Sequence, residues 1–247
     1  MLSGARWSRE IRATVEKSGP SGLFFLGSAH LSNEENFLLR KLADHLGSPN
    51  RDVIVDKSRP RKIKSRTGWV EGDDAAPNFR GARDMGLAPG KGGYGLDAVL
   101  SGNASPEVIV IADGAFAAIA DDPQKVAALR RARFVAVAAR TGNALTRSAD
   151  VVLPAASLAE KEGTFTNVQG RVQKFERAFL PKPPVRAHWD LLLMLAVGLG
   201  WGDRNWTPSD LLSQIAKEIE GYGHIREAEL EGGTLLKKGD FAWAGHP

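Results

Sequence analysis

The stretch at residues 21–47, SGLFFLGSAHLSNEENFLLRKLADHLG, decides the fold that we predict. Its LFFL segment at 23–26 is a continuous apolar run, which is typical of a strand buried on both faces of a parallel sheet. Ser32 and Glu35 follow in a capping-box pattern, where each side chain accepts from the backbone amide of the other. Phe37, Leu38 and Leu42 then recur at helical spacing, and a glycine ends the helix. We therefore predict one β-strand followed by one capped α-helix.

The same alternation of strand and helix continues along the chain. Further strands are predicted at 52–55, 107–112, 133–138 and 150–154, and a helix at 121–130. Strands that alternate with helices indicate an α/β fold, a Rossmann-like parallel sheet flanked by helices with right-handed crossovers.

The chain divides into three parts on this pattern. We expect an N-terminal helix over 1–17, a Rossmann-like domain over 18–157, and an extension over 158–247 with helices near 187–199 and 207–221. Within the domain, residues 57–105 carry no convincing helix or strand and are predicted to be a long loop insertion. A loop of that length in a compact domain is usually functional or contacts a partner.

The composition excludes several kinds of site. The 247 residues contain no cysteine, so this chain provides no disulfide, no thiolate-bound iron–sulfur cluster and no cysteine-ligated zinc. The five histidines show neither H-x-x-x-H nor H-E-x-x-H spacing, and we predict no metal site in this chain. No nucleophile elbow or Ser-His-Asp set is recognisable, so no catalytic residue is assigned.

Charge and hydropathy limit the partners that we expect. The run KSRPRKIKSR at 57–66 contains six cations, which could contact nucleic acid or an anionic membrane. It has neither interleaved aromatic residues nor a recognition helix, which favours a solvated loop or a surface that faces an acidic partner subunit. No apolar run is long enough to span a bilayer, and the N-terminus lacks a signal-peptide core. We expect no nucleic-acid binding, no membrane insertion and a cytoplasmic location.

Two adjacent segments carry a family resemblance. Residues 148–157 are SADVVLPAAS, and residues 160–173 are EKEGTFTNVQGRVQ. This block resembles the pattern ADVVLP followed by E-x-EGT-x-x-N-x-x-GR-x-Q of the molybdopterin oxidoreductase superfamily. Residues 27–36 are similar to the first βα unit of that family's Rossmann-like domain, and NFRGARDMG at 78–86 is similar to its N-x-x-GA-x-D-x-G loop. The resemblance spans about residues 7–200 and implies the C-terminal, Rossmann-like part of such an enzyme.

Within the superfamily, the motifs most resemble the large iron–sulfur subunit of NADH-quinone oxidoreductase. The forms of 32–36 and 160–173 favour that branch, and the third predicted strand ends in ADGAF at 112–116, where many molybdenum enzymes have a G-x-N-P turn. The resemblance implies a scaffold without a redox centre of its own, in a respiratory complex on the cytoplasmic face of the inner membrane. Other regions or subunits of that complex would be its partners and would hold the iron–sulfur clusters and FMN.

Two other functions remain open from the sequence. The chain could be half of a split molybdopterin-dependent oxidoreductase that lines a molybdopterin guanine dinucleotide. It could also be a stand-alone nucleotide-binding module, although the glycine-rich residues 90–95 follow no predicted strand and lack the ending of a phosphate loop.

The resemblance also suggests candidate cofactor-binding residues, which would be vestigial in a scaffold. Open α/β sheets bind ligands at the carboxyl ends of their strands, where the motif block begins. The glycines allow positive φ or a close approach of the backbone, and the polar residues supply donors, acceptors and a planar cation. Alternatively, these residues bond one another to order a long loop. The candidates are Gly27, Ser28, Glu162, Gly163, Thr164, Asn167, Gly170, Arg171 and Gln173.

Overall fold

Ten strands and nine α-helices form along the part of the chain that the computed structural model describes, residues 2–54, 61–65, 68–72, 76–113 and 117–236. The strands are β1 (Leu23–Ser28), β2 (Arg51–Ile54), β3 (Arg61–Ser65), β4 (Gly68–Gly72), β5 (Val108–Ile111), β6 (Phe134–Ala139), β7 (Val151–Pro154), β8 (Gly163–Thr166), β9 (Arg171–Phe175) and β10 (Thr234–Leu235). The helices are α1 (Leu2–Ser18), α2 (Asn33–His45), α3 (Phe79–Asp84), α4 (Leu96–Ser101), α5 (Ala117–Ala120), α6 (Pro123–Leu129), α7 (Ala144–Ser148), α8 (His188–Gly198) and α9 (Pro208–Glu218).

The central sheet has five parallel strands in the order β2-β1-β5-β6-β7. Every residue of β1, β5 and β6 is buried, as their continuous apolar sequences predict. Strand β7 lies at an edge and alternates buried and exposed residues, with Val152 38% exposed. The strand order reverses between β1 and β5, which is the topological switch point of this sheet. The predicted α/β fold is confirmed.

Two hydrophobic clusters cover the two faces of this sheet. One cluster joins β1, β2, β5, β6 and β7 to α1, α2, α8 and the start of α9, and contains Trp7, Phe25 and Leu193. The other packs α4, α6 and α7 against the opposite face around Phe24 and Ile109. A third cluster lies away from the sheet and attaches the C-terminal extension to α2. Apolar burial therefore fixes both helical layers to the sheet and the C-terminal extension to α2.

The prediction of a loop without helix or strand over 57–105 was wrong. Strands β3 and β4 form an antiparallel hairpin there, and the short helices α3 and α4 follow. A helix of six residues is too short to show apolar periodicity, and β3 has the cationic sequence RKIKS, so neither pattern was recognisable. Residues 55–60, 66–67 and 73–75 of this region lie outside the described residues, as do 237–247 of the C-terminal tail.

No helix in the described part of the chain has both the length and the apolar character needed to cross a bilayer.

Candidate functional site

The motif block at 160–173 forms a hairpin rather than an open loop. Strands β8 and β9 pair in antiparallel fashion, and β10 adds to the outer side of β9. We call β8, β9 and their turn the motif hairpin. At the turn, the side-chain oxygen of Asn167 accepts from the amides of Gln169 and Arg171, each at 3.0 Å. Gly170 closes the turn with φ 74°, a left-handed conformation that favours glycine.

The first turn of α2 is polar and completely buried. Asn33, Glu35 and Asn36 are 0% exposed and Glu34 is 1% exposed. The predicted capping box is present, since the Ser32 hydroxyl accepts from the Glu35 amide at 3.2 Å and Glu35 accepts from the Ser32 amide at 2.9 Å. Four consecutive buried polar residues require partners, because each unpaired group would incur a desolvation cost.

The Glu34 carboxylate and the side-chain amide nitrogen of Asn33 find partners in the motif hairpin. The Glu34 carboxylate accepts from the Thr164 amide at 2.9 Å and from the Thr164 hydroxyl at 2.6 Å. The Asn33 amide group donates to the hydroxyls of Thr164 and Thr166, both at 3.0 Å. Burial raises the pKa of Glu34 and the bonds from Thr164 partly offset that increase. These bonds fix β8 against the start of α2.

Glu35 connects three segments that are distant in sequence. Besides capping its own helix, its carboxylate pairs with the Lys161 ammonium at 2.5 Å and accepts from the Trp189 amide at 3.3 Å. Lys161 is only 4% exposed, so this is a buried ion pair. The start of α2, the entry to the motif hairpin and the start of α8 therefore meet at one carboxylate.

A second group of bonds extends this network towards the C-terminal extension. The Asn78 side chain accepts from the Thr166 amide at 2.7 Å and donates to the Leu31 carbonyl at 2.8 Å. Tyr222 is fully buried, and its hydroxyl lies 2.7 Å from that of Thr166 and donates to Asp84 at 3.0 Å. Burial, together with Asp84, raises the pKa of Tyr222 well above its usual value. We call Asn33, Glu34, Glu35, Asn78, Lys161, Thr164, Thr166 and Tyr222 the buried polar network.

His188 lies beside this network as a neutral residue. It is 3% exposed, and neither imidazole nitrogen has a hydrogen-bond partner in the described structure. Its Nδ1 is 3.8 Å from the Glu35 carboxylate. Burial, reinforced by the positive charge of Lys161, lowers the pKa of His188 to about 3. A protonated imidazole is therefore strongly disfavoured at this position near neutral pH.

Two clefts flank the motif hairpin. The first, of about 320 Å³, is lined half by charged residues, among them Glu34, Lys174 and Glu227. The second, of about 360 Å³, lies between the entry to the hairpin and the proline-rich 181–185 stretch, next to Lys161 and Trp189. Glu162 and Arg177 line both clefts. The described residues contain no cluster of three or more histidine, aspartate or glutamate side chains that could hold a metal ion.

Most of the nine candidate cofactor-binding residues are engaged inside the chain. A Cβ at Gly27 would overlap Leu87 and Asn36, and one at Gly163 would overlap Ser32 and Glu34, so both glycines permit close packing. The Ser28 hydroxyl accepts from the His30 amide at 3.1 Å, and the Arg171 guanidinium donates to the Gly233 carbonyl at 3.0 Å.

The remaining candidates follow the same pattern with one exception. Thr164 fixes the motif hairpin to α2, Asn167 and Gly170 form its turn, and the exposed Gln173 accepts a long 3.4 Å bond from Asn167. Of the nine candidates, only Glu162 has a side chain that forms no hydrogen bond or ion pair with another described residue. As placed, the nine residues therefore do not form a cradle of free donors for a dinucleotide, and cofactor binding by them stays a prediction.

The sequence does not predict that Lys161, Asn78 and Tyr222 lie together in the buried polar network, or that His188 lies beside it. The segment at 33–36 belongs to the family motif, but a polar first turn of a helix is usually solvated, so nothing in the sequence indicates its burial. One sequence feature does indicate an ion pair at this site: Lys161 lies between two glutamates within the motif block.

A comparison with protein families shows to which family the chain belongs. The model of the molybdopterin oxidoreductase family matches residues 74–197, half of the chain. The chain belongs to the molybdopterin oxidoreductase family.

Relatives of this family member include dehydrogenases of bacteria and archaea. The probable oxidoreductase YjgC of Bacillus subtilis is 38% identical over 89 residues, which are 36% of this chain and 9% of that protein. A putative formate dehydrogenase of Staphylococcus aureus is 34% identical over 99 residues, 40% of this chain and 10% of that protein. The F420-dependent formate dehydrogenase subunit alpha of Methanocaldococcus jannaschii is 41% identical over 85 residues, 34% of this chain and 13% of that protein.

The match covers only about a tenth of the length of these relatives. The family is one of oxidoreductases, and the relatives are similar to this chain through one small part of much larger proteins.

Proposed function

We propose that this chain is a structural domain of a multisubunit oxidoreductase and has no redox centre of its own. The observation that carries the proposal is the buried polar network. It uses the polar groups of the family motif to fix the motif hairpin to α2, which leaves few of them free for a ligand. The absence of cysteine in the chain supports the same conclusion for iron–sulfur clusters.

Our finer hypothesis is that this oxidoreductase transfers electrons from NADH to quinone. It rests on the forms of residues 32–36 and 160–173, which resemble those of the large iron–sulfur subunit of that complex. In such an assembly the clusters and FMN belong to partner regions, and this domain supports the regions that hold them.

A second candidate function follows from the relatives. Several of them are named formate dehydrogenases, which favours a domain that lines a molybdopterin guanine dinucleotide. In that case Glu162 is the residue of the candidate set that remains free to contact a ligand, because it lines both clefts.

A Thr164→Val substitution separates a structural motif from a cofactor-binding one. Valine has nearly the same shape but removes the hydroxyl that joins Glu34 and Asn33, so each of these buried groups loses one partner. We expect the free energy of unfolding to fall by about 1–3 kcal/mol. The dehydrogenase activity of the purified complex, expressed per folded particle, should stay at the wild-type level.

The opposite result would favour the second candidate. If Thr164→Val retained wild-type stability and abolished activity, the motif would act on the cofactor directly and the structural proposal would be wrong. Glu162→Gln provides the matched comparison, since it changes a cleft residue without removing a buried hydrogen bond. A loss of bound pterin in Glu162→Gln would also count against the structural proposal.

A further inference from the structure

An exposed apolar pair lies in the segment at 176–186, which follows β9. Phe179 is 57% exposed and Leu180 is 71% exposed, and Leu158, on the facing turn, is 44% exposed. They are the most exposed large apolar side chains of the described residues apart from Leu235, on β10, which is 46% exposed. Clustered exposed apolar groups of this kind are typical of interaction surfaces.

The 176–186 segment is held in place rather than loosely attached. The amides of Ala178 and Phe179 both donate to the Ala159 carbonyl, at 2.9 and 3.2 Å. At its other end, Arg186 exchanges backbone hydrogen bonds with Pro154 and Ala156, at 3.2 and 2.8 Å. The apolar pair is therefore presented on a fixed backbone, which lowers the entropic cost of binding a partner.

Unpaired cations flank the apolar pair. Among the described residues, neither Arg177 nor Lys182 forms an ion pair, and both are exposed. Their neighbours differ, since Lys174 pairs with Glu227 at 3.0 Å and Arg186 pairs with Asp190 at 2.8 Å. The surface thus combines an apolar centre with two free positive charges, and its complement is an acidic surface with an apolar pocket.

We propose that the 176–186 segment, together with Leu158, docks an acidic protein surface of the same oxidoreductase, which accepts Phe179 and Leu180 in an apolar pocket. The inference rests on the proposed function, because it takes the partner from the same complex. The lengths of the relatives support a partner from the same enzyme, because the stretch that matches this chain is only about a tenth of each relative. Most of such an enzyme therefore lies outside that stretch. Exposed apolar side chains at the centre of an interface commonly dominate its affinity.

The test is the assembly of the tagged full chain in its own source cells. The wild-type chain should purify in a particle with at least one different polypeptide, detected by light scattering after size exclusion and by mass spectrometry. Phe179→Asp/Leu180→Asp should lower the assembled fraction about tenfold or more. Arg177→Glu/Lys182→Glu should also lower it, and the wild-type assembly should weaken with added salt.

Val197→Asp is the matched control, because Val197 is 42% exposed on α8 and lies outside the 176–186 segment. It should assemble like the wild type. Normal assembly of both double variants would overturn the proposal, as would a wild-type chain recovered alone or only with copies of itself. If Phe179→Asp/Leu180→Asp does not accumulate, the assembled fraction of Arg177→Glu/Lys182→Glu alone tests the docking surface.

The proposed function is tested separately, by measuring flavin, iron and pterin on the same particle. An assembled particle that contains none of them would refute the proposed function but would leave the docking surface supported.

Discussion

Replacing Glu35 with glutamine is expected to lower the free energy of unfolding by about 3–5 kcal/mol, because it leaves the Lys161 charge buried without its counter-ion. Both side chains are almost completely buried, and their charged groups are 2.5 Å apart. Glutamine retains the size and the capping ability of glutamate, so the change mainly removes the negative charge. Urea unfolding followed by circular dichroism measures the effect.

Two controls show whether the buried pair is responsible. Glu218→Gln breaks partly exposed ion pairs with Lys41, at 2.9 Å, and Arg40, at 3.5 Å, and should cost less than about 1 kcal/mol. Adding Lys161→Met to Glu35→Gln removes the unpaired charge and should recover part of the lost stability. If Glu35→Gln costs no more than Glu218→Gln, Glu35 does not fix the three segments in the way we describe.

Acidification is expected to destabilise the protein through His188. The pKa of His188 is lowered to about 3 by burial, whereas an unfolded histidine titrates near 6.5. Since the folded pKa is depressed, the unfolded state binds more protons between these values, and stability is lost as pH falls from 6.5 towards 3. The expected loss is roughly 1.5 kcal/mol between pH 6.5 and pH 5.

His188→Leu isolates this contribution. The raised pKa of Glu34 acts in the opposite direction, because its protonation favours the folded state on acidification, but it is common to both proteins. The difference in unfolding free energy between wild type and His188→Leu should therefore change between pH 6.5 and pH 5. A difference that stays constant with pH would show that His188 titrates in the folded protein as it does in the unfolded chain.

The central sheet was predictable because the local sequence of its buried strands indicates a β-strand without reference to the rest of the chain. Strands β1, β5 and β6 are continuous apolar runs, and Ser32 and Glu35 mark the start of α2 through a local pattern. The elements that were missed have no such local signal. Strand β8 is held by contacts with Asn33 and Glu34, which lie more than one hundred residues earlier in the chain, so its register depends on tertiary contacts.

The candidate site was only partly predictable for a related reason. The resemblance identified Thr164, Asn167 and Gly170 as important positions, but residue type does not reveal whether a polar group faces a ligand or another side chain. The same threonine hydroxyl would suit a phosphate oxygen or the Glu34 carboxylate. Tyr222 belongs to the weakly patterned C-terminal extension. Its hydrogen bond with Thr166 depends on the packing of the third hydrophobic cluster, which attaches that extension to α2.

The composition of the purified protein tests the central claim most directly. The chain should be prepared alone and with its partners, and each preparation analysed for iron, molybdenum and tungsten, for pterin and flavin, and for visible absorbance. We expect the chain alone to be colourless and to contain none of these in stoichiometric amount, with the redox groups confined to the partners. Stoichiometric pterin and molybdenum or tungsten retained by the chain alone would contradict the account, because the motif hairpin would then hold a cofactor.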